Sequence, residues 1–164
     1  MRVFGIAGRS GSGKTTLLAR LIPWLKARGL TISTVKQASE AFDVDKPGKD
    51  SYQHREAGAR EVMIASARRW VLMHEYRDEA EPEMEELLSR LAPVDLVLIE
   101  GFRRWPHPRL EVCRAEVAKP PFYPEDPLML AVASDAEVPG CPLPRLDLND
   151  IDIIGAFVLK SVGL

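Results

Sequence analysis

The sequence predicts an α/β fold, with a mostly parallel sheet, helices on both faces and an additional β-hairpin. Two observations lead to this prediction. Short apolar runs alternate along the chain with segments of helical periodicity, and a glycine-rich loop joins the first apolar run to the first helical segment. Strand–loop–helix units of this kind pair their strands in parallel, so ligands bind at the carboxyl ends of the strands.

The glycine-rich loop is a complete G-x-x-x-x-G-K-[ST] motif over residues 8–15, directly after the apolar run 3–7. In such a phosphate loop (P-loop) the glycines let backbone N–H groups turn toward a phosphate, Lys14 reaches the β- and γ-phosphates and Thr15 ligates Mg²⁺. The positive end of the next helix adds to the site. The motif therefore predicts a fold of the P-loop NTPase type. The candidate nucleotide-binding residues are Gly8, Arg9, Ser10, Gly11, Ser12, Gly13, Lys14, Thr15, Thr16, Gly101 and Asp135.

The helix after the P-loop is predicted over residues 15–27, where leucines recur at helical spacing, with Gly29 as the left-handed residue beyond its end. Pro23 lies inside this helix and is expected to kink it or make it locally irregular. Residues 31–36 are rich in β-branched side chains and predict the second strand. A polar surface loop should follow over residues 37–49.

A short helix is predicted to begin with a capping box at Asp50 and to end near Gly58. Residues 61–67 and 69–74 are strand-like runs close enough in sequence to form the hairpin, with its turn around Ala67 and Arg68.

The most apolar segment of the second half is the run 95–100, which ends in an acid and has the pattern of a buried parallel strand. The other predicted elements are an acidic amphipathic helix over residues 82–91, strands over residues 110–115 and 128–133, and a closing helix over residues 150–162.

The composition indicates one domain over residues 1–164, because 46% of the residues are apolar and can form a sizeable core. A net charge of −2 gives no global basic field, so neither nucleic acid nor a membrane is a predicted partner. Cys113 and Cys141 are far apart and are expected to be free thiols. With no apolar stretch of membrane-spanning length and no room for a signal peptide, we expect a soluble cytoplasmic protein. No two of the three histidines have metal-ligand spacing, so no zinc site is predicted.

A bound nucleoside triphosphate needs an acid for its Mg²⁺, and Glu100 stands at the end of the most apolar strand. Gly101 then permits a close backbone approach to the γ-phosphate. Asp43 and Asp45 follow the second strand and are further candidates for the same metal, with an ordinary polar loop as the alternative. The candidate catalytic residues are Lys14 and Glu100, and the candidate metal ligands are Thr15, Glu100 and Asp45.

Asp135 follows a predicted strand, where loops that recognise the base lie in this architecture. A carboxylate accepts two hydrogen bonds, and guanine offers two adjacent donors, so Asp135 is a candidate for selecting guanine over adenine. A helix or turn cap is the alternative interpretation.

Two local basic clusters stand out. Residues 102–109 contain three arginines, two aromatics and a histidine, a mixture suited to phosphate or to a partner surface. Residues 46–49, with His54 and Arg55 beyond them, form the second cluster. For both, ordinary surface charge is the alternative.

Several segments together resemble the molybdopterin-guanine dinucleotide biosynthesis protein B (MobB) family. They are residues 8–15, residues 42–52 continuing through 54–59, residues 96–103 and residues 131–135. The Asp-Lys-Pro-Gly-Lys-Asp-Ser run and the Glu-Gly-Phe-Arg strand end are the specific parts of this resemblance. The family pattern has histidines after the second strand, where this chain has residues 37–41, Gln-Ala-Ser-Glu-Ala, so no role of those histidines is carried over.

The resemblance implies a homodimeric, weakly hydrolytic GTP-binding protein. It would assist the guanylyltransferase that attaches GMP to molybdenum-bound molybdopterin, and the transfer chemistry would belong to that partner. Lys14 and backbone amides would hold phosphates, Thr15 and Glu100 would hold Mg²⁺, and Asp135 would hold the base. Arg103, Arg104 and residues 46–49 would face the pterin phosphate or the partner.

Two other functions stay open at this point. A P-loop small-molecule kinase has a similar size, but it needs an arginine-rich lid, for which residues 102–109 are the candidate. An adaptor that uses GTP as a structural ligand would bind it tightly without turnover. Slow hydrolysis is plausible because the sequence has no arginine finger or water-positioning glutamine at a recognisable spacing, and Arg9 is a candidate for part of that role.

Overall fold

The computed structural model describes residues 1–38, 42–117 and 119–164. These residues form two compact units, one of residues 1–37 with 91–164 and the other of residues 38–90. The prediction of a single domain over residues 1–164 stays a prediction. Residues 39–41, which belong to the expected polar loop and to the segment where the resemblance places histidines, lie outside the described residues.

The larger unit is built on a six-stranded sheet in which every neighbouring pair of strands is parallel. The strands of the chain are β1 (Arg2–Ala7), β2 (Ile32–Lys36), β3 (Glu61–Ala65), β4 (Trp70–His74), β5 (Leu96–Glu100), β6 (Arg109–Cys113), β7 (Met129–Ser134) and β8 (Arg145–Asp147). Their order in this sheet is β2-β5-β1-β6-β7-β8. The carboxyl ends of β5, β1 and β6 therefore lie side by side at one edge.

The helices are α1 (Lys14–Lys26), α2 (Asp50–Glu56), α3 (Met84–Ser89) and α4 (Ile151–Val162), and a 3₁₀ turn spans Tyr123–Glu125. α1 and α4 pack against each other over one face of the large sheet, where they share a core with alternate residues of the strands. Trp24 of α1 lies so close to Gly155 of α4 that an added Cβ would overlap the indole ring. On the other face, the loop after β5 covers β1, with the His107 ring over Gly5.

The smaller unit contains α2, α3 and the antiparallel hairpin β3–β4, in which Met63 pairs with Leu72. Arg55 of α2 organises this unit because its guanidinium forms a two-pronged pair with Asp43, at 3.0 and 2.5 Å, and reaches Glu75 at 3.5 Å. Side-chain bonds of this kind tie the loop before α2 to the segment after β4.

The structure confirms the α/β fold, the mostly parallel sheet and the hairpin. All five residues of β5 are buried, as its continuous apolar run predicts. Gly29 has the expected positive φ of 82°, and α1 continues through Pro23. α4 begins where the closing helix is predicted, and Asp150 caps it, since the Asp150 carboxylate accepts from the Ile153 amide at 3.0 Å.

Three details of the prediction were wrong. Asp50 does not cap α2: the extended Lys49 occupies the cap without a side-chain bond, and Asp50 lies in the first turn, where its charge favours the helix dipole. α3 is six residues long and shorter than residues 82–91. β8 was not predicted, because three residues with one buried side chain give no detectable periodicity.

Candidate functional site

The P-loop connects the carboxyl end of β1 to α1 and relies on backbone that only glycine adopts without strain. Gly8 has a φ of +139°, and a Cβ there would stand 2.6 Å from the carbonyl oxygen of Val112. Gly13 has a φ of +96° and directly precedes α1. Between them, Ser12 is fully buried, and its hydroxyl has no hydrogen-bond partner among the residues that the structure describes. Ser10, Gly11, Thr15 and Thr16 lie on the exposed rim of the loop.

Lys14 points its ammonium group back across the loop. Nζ donates to the carbonyl oxygens of Gly8 at 2.9 Å and Arg9 at 3.0 Å. These two bonds use two of the three ammonium donors and hold the charge at the mouth of the loop. Burial lowers the pKa of Lys14, while the nearby Glu100 carboxylate acts in the opposite direction.

Thr15 and Glu100 meet at the ends of α1 and β5. The Thr15 hydroxyl lies 3.3 Å from both carboxylate oxygens of Glu100, and Lys36 approaches the same carboxylate at 3.5 Å. The parallel register places Glu100 between Ile6 and Lys36. Within residues 1–38, 42–117 and 119–164, no group of three His, Cys, Asp or Glu side chains could hold a metal ion. A Mg²⁺ at Thr15 and Glu100 would therefore take its other oxygens from water and phosphate, as this ion commonly does.

Gln37 fixes the turn that follows Glu100, and sequence reasoning missed it. Its backbone N–H donates to the carbonyl of Glu100 at 2.9 Å, and its side-chain oxygen accepts from the Phe102 amide at 2.7 Å. Phe102 has a positive φ of 50°, and Gly101 has a φ of 93°. A Cβ on Gly101 would stand 2.9 Å from Gln37 Cβ, so the close approach of these segments requires glycine.

Half of the basic loop 102–109 is buried, namely Phe102, Trp105, His107 and Arg109, while Arg103 and Arg104 are exposed. Arg109 is 1% exposed, and its guanidinium donates to the carbonyl oxygens of Arg103, Trp105 and His107 at 2.8, 2.7 and 3.1 Å. Asp126 lies 3.5 Å from the same group. Burial, and then the charge of Arg109, lower the pKa of His107 to about 4, so this imidazole is neutral at neutral pH. Arg109 is therefore a structural residue and not a phosphate ligand.

Arg9 and Arg103 both stack on Phe122. Their guanidinium carbons lie 3.8 and 3.6 Å from the ring centroid, and Arg9 Nε also donates to the carbonyl of Pro120 at 2.8 Å. Glu111 holds the same segment, because its buried carboxylate accepts from the amides of Phe122 and Tyr123 at 2.8 to 2.9 Å. Burial raises the pKa of Glu111 despite these bonds.

Asp135 stands beside the P-loop through Arg114, which sequence reasoning also missed. Arg114 Nη1 lies 3.0 Å from the Asp135 carboxylate, and Arg114 Nε donates to the carbonyl of Ser12 at 3.1 Å. Arg114 follows the end of β6, so the strand-end rule that found Glu100 applies to it as well. If Asp135 were a helix or turn cap, its carboxylate would accept from a backbone amide, and no such hydrogen bond is found among the described residues.

A cavity of about 230 Å³ opens between the P-loop and the ends of β6 and β7. Burial raises the pKa of Cys113, in its wall, to about 12, so this residue stays a thiol. Cys113 and Cys141 are both free. The residues around the cavity include Arg9, Ser12, Glu111, Cys113, Arg114, Val117, Lys119, Ser134, Glu137, Val138 and Pro139.

Asp45, the third candidate metal ligand, belongs to the smaller unit. One of its carboxylate oxygens accepts from the Ser51 hydroxyl and the Lys46 amide, both at 2.9 Å. The second oxygen is buried without a hydrogen-bond partner among the described residues. Asp43 and Arg55 form an ion pair with each other, so Arg55 has a structural role within the smaller unit. A metal role for Asp45 stays a prediction.

Known proteins resemble this chain in sequence and in fold. The sequence model of the family described as molybdopterin guanine dinucleotide synthesis protein B matches residues 3–135. The molybdopterin-guanine dinucleotide biosynthesis adapter proteins of Escherichia coli and Haemophilus influenzae are both 40% identical to it, over 161 and 157 residues. These alignments cover 96% and 95% of this chain and 91% and 86% of the two relatives. A crystal structure of molybdopterin-guanine biosynthesis protein B superposes with a TM-score of 0.69 at 27% identity, over 96% of this chain and 98% of the other.

Proposed function

The chain belongs to the molybdopterin guanine dinucleotide synthesis protein B family, and from this we propose that it is a GTP-binding adapter protein of molybdopterin guanine dinucleotide biosynthesis. Its partner would be the guanylyltransferase that attaches GMP to molybdopterin, and the transfer chemistry belongs to that partner. This chain contributes a nucleotide site with Mg²⁺, and we place it in the cytoplasm.

The observation that carries the proposal is the arrangement of charge and hydrogen-bond donors at the P-loop. The ammonium group of Lys14 is held by the Gly8 and Arg9 carbonyls of the P-loop, and the buried Ser12 hydroxyl of the same loop has no hydrogen-bond partner among the described residues. The Thr15 hydroxyl and the Glu100 carboxylate lie next to each other and would supply protein oxygens to a phosphate-bound Mg²⁺. A triphosphate fits this donor set.

Hydrolysis by this site is proposed to be slow. Arg9 is the one arginine within the P-loop sequence. Its guanidinium, however, is stacked on the Phe122 ring and donates to the Pro120 carbonyl. We therefore assign no transition-state role to Arg9. GTP acts in this proposal as the ligand that sets the conformation of the adapter.

The kinase alternative has less support because its lid candidate is fixed in place. Phe102 and Trp105 of the loop 102–109 are 7% and 5% exposed and stack with ring centroids 4.2 Å apart. Arg109 donates to the Trp105 carbonyl, and the Phe102 amide donates to the Gln37 side chain. A lid must open and close over the phosphates. Arg103 and Arg104 remain on the exposed side of the loop, where we propose that they contact the partner or the pterin phosphate.

Titration calorimetry with GTP and with ATP tests the proposed nucleotide, in the presence of Mg²⁺ and again with a chelator. We expect GTP to bind at least about tenfold more tightly than ATP, and Mg²⁺ to strengthen the binding. Equal or tighter binding of ATP would reject the guanine assignment and favour the kinase.

We also propose a homodimer, formed through the exposed face of the hairpin. Among the described residues β3 and β4 pair only with each other, and a two-stranded sheet is marginally stable alone. Met63 and Trp70 are 61% and 65% exposed and lie on the same face, since residues 61, 63 and 65 pair with 74, 72 and 70. A second copy of this chain would bury both side chains.

Light scattering after size exclusion tests this interface. The Met63→Glu, Trp70→Glu double variant should shift the protein from dimer to monomer, with a rise of at least about a hundredfold in the dissociation constant, because each large side chain loses its burial. Arg68→Glu in the hairpin turn is the matched control and should stay dimeric. A monomeric unmodified protein, or a dimeric double variant, would contradict the assignment.

A further inference from the structure

Arg114 is fixed in one orientation by two bonds in the plane of its guanidinium group. Nε donates to Ser12 and Nη1 to Asp135, at 3.1 and 3.0 Å. Because a guanidinium is planar, two such bonds determine where its flat faces point. Gly13 lies at the Nε–Nη2 edge of the group, since a Cβ there would stand 3.1 and 3.3 Å from these two nitrogens but 3.6 Å from Cζ. The contacts with Ser12, Gly13 and Asp135 therefore lie at the edges of the guanidinium, and none of them covers a flat face. The side chain is 32% exposed.

The order of the strands determines which end of a nucleotide the Arg114 side chain would meet. Glu100, where we place Mg²⁺, lies at the end of β5 on one side of β1. Arg114 follows β6 on the opposite side of β1. Mg²⁺ in such sites bridges the β- and γ-phosphates. A triphosphate with its γ end toward β5 therefore directs its nucleoside toward β6 and β7.

The cavity at that end has the size and lining of a base pocket. Its volume of about 230 Å³ is below the roughly 300 to 1,000 Å³ that encloses a drug-sized ligand, so it holds a ring system and not a whole nucleotide. Val117, Val138 and Pro139 supply apolar wall, and Arg114 supplies a flat cation. Asp135 is not among the cavity-lining residues, although it contacts Arg114.

We propose that Arg114 is a nucleoside-binding residue, with a flat face of its guanidinium stacked on the purine ring, and that Asp135 is a positioning residue that holds Arg114 in this orientation. This inference rests on the proposed nucleotide site. It changes the role of Asp135, which the sequence suggested as the group that selects guanine directly.

The test compares GTP, inosine triphosphate (ITP) and xanthosine triphosphate (XTP), which differ only at the edge of the base that a carboxylate would contact. Calorimetric affinities are measured for the unmodified protein and for Arg114→Gln, Arg114→Lys, Asp135→Asn and the Arg114→Gln, Asp135→Asn double variant. Arg28→Gln is the matched control, because Arg28 forms a similar pair with Asp152 at 3.5 Å beyond the far end of α1. Circular dichroism and thermal melts establish that each variant is folded.

Arg114→Gln should weaken all three nucleotides by a similar factor of about ten, the scale of one lost stacking contact. Arg114→Lys should bind the nucleotides as weakly as Arg114→Gln does, since lysine has the charge without the flat face. Asp135→Asn should weaken all three equally and have no further effect in the Arg114→Gln background.

A direct selector behaves differently. If Asp135→Asn removes the preference for GTP over ITP, or improves XTP binding about tenfold, Asp135 contacts the base and our proposal is wrong. Full affinity of Arg114→Lys would show a charge effect without stacking and would also overturn it. If the unmodified protein binds none of the three nucleotides, the proposed nucleotide function fails together with this inference, a result distinct from the other two.

Discussion

Lys14→Ala is expected to weaken GTP binding about a hundredfold. The variant loses a charge-assisted hydrogen bond to phosphate, which contributes roughly 1.5 to 3 kcal/mol, together with the local positive potential. It also leaves the carbonyl oxygens of Gly8 and Arg9, now bonded to Nζ at 2.9 and 3.0 Å, without that donor. Calorimetric titration with GTP and Mg²⁺ measures the loss.

Lys26→Ala is the matched control, since Lys26 lies exposed in the last turn of the same helix. Its removal should leave the GTP affinity unchanged within about twofold, because the phosphates are a full helix length away. Melting curves must show that both variants remain folded. Unaltered GTP affinity of a folded Lys14→Ala protein would reject the P-loop as the nucleotide site.

The pairing of Thr15 with Glu100 could be predicted from sequence because two local signals meet in the sheet. The motif fixes Thr15 at the start of α1, and the acid after an apolar run fixes Glu100 at the end of β5. Parallel pairing then places both at one edge, as the register of Ile6 opposite Glu100 confirms. No contact between distant segments had to be known beforehand.

The strand-end rule can place Arg114 at the edge of the sheet that holds the site, but it does not give the roles of Arg114 and Gln37, because these depend on partners far along the chain. Arg114 binds Ser12, 102 residues earlier, and Gln37 binds Phe102, 65 residues later. Nothing in the composition around either residue indicates those contacts. The basic loop 102–109 shows the same limit: its arginines look alike in sequence, but only the fold determines that Arg109 is buried.

The prediction with the largest effect on stability is for Arg109→Met. Methionine fills a similar volume but donates no hydrogen bond, so three loop carbonyls lose their donor and Asp126, with a side chain 9% exposed, loses a nearby cation. Breaking one side of a fully buried ion pair costs about 3 to 5 kcal/mol, but Arg103 still lies 3.7 Å from the Asp126 carboxylate after this change. We therefore expect the free energy of unfolding to fall by about 3 kcal/mol, the lower end of that range, as measured in urea.

Asp126→Asn identifies the source of this loss. If the loss of the Arg109 charge beside the Asp126 carboxylate is the main cost, adding Asp126→Asn to Arg109→Met should recover part of the stability, since an amide needs no neutralising cation. If the three carbonyl oxygens are the main cost, the double variant should be no more stable than Arg109→Met. Arg68→Met, at an exposed position in the hairpin turn, should change the free energy of unfolding by less than about 0.5 kcal/mol. A change that small for Arg109→Met would mean that the loop 102–109 does not depend on its guanidinium, and the buried arginine would have to be explained by a role other than stability.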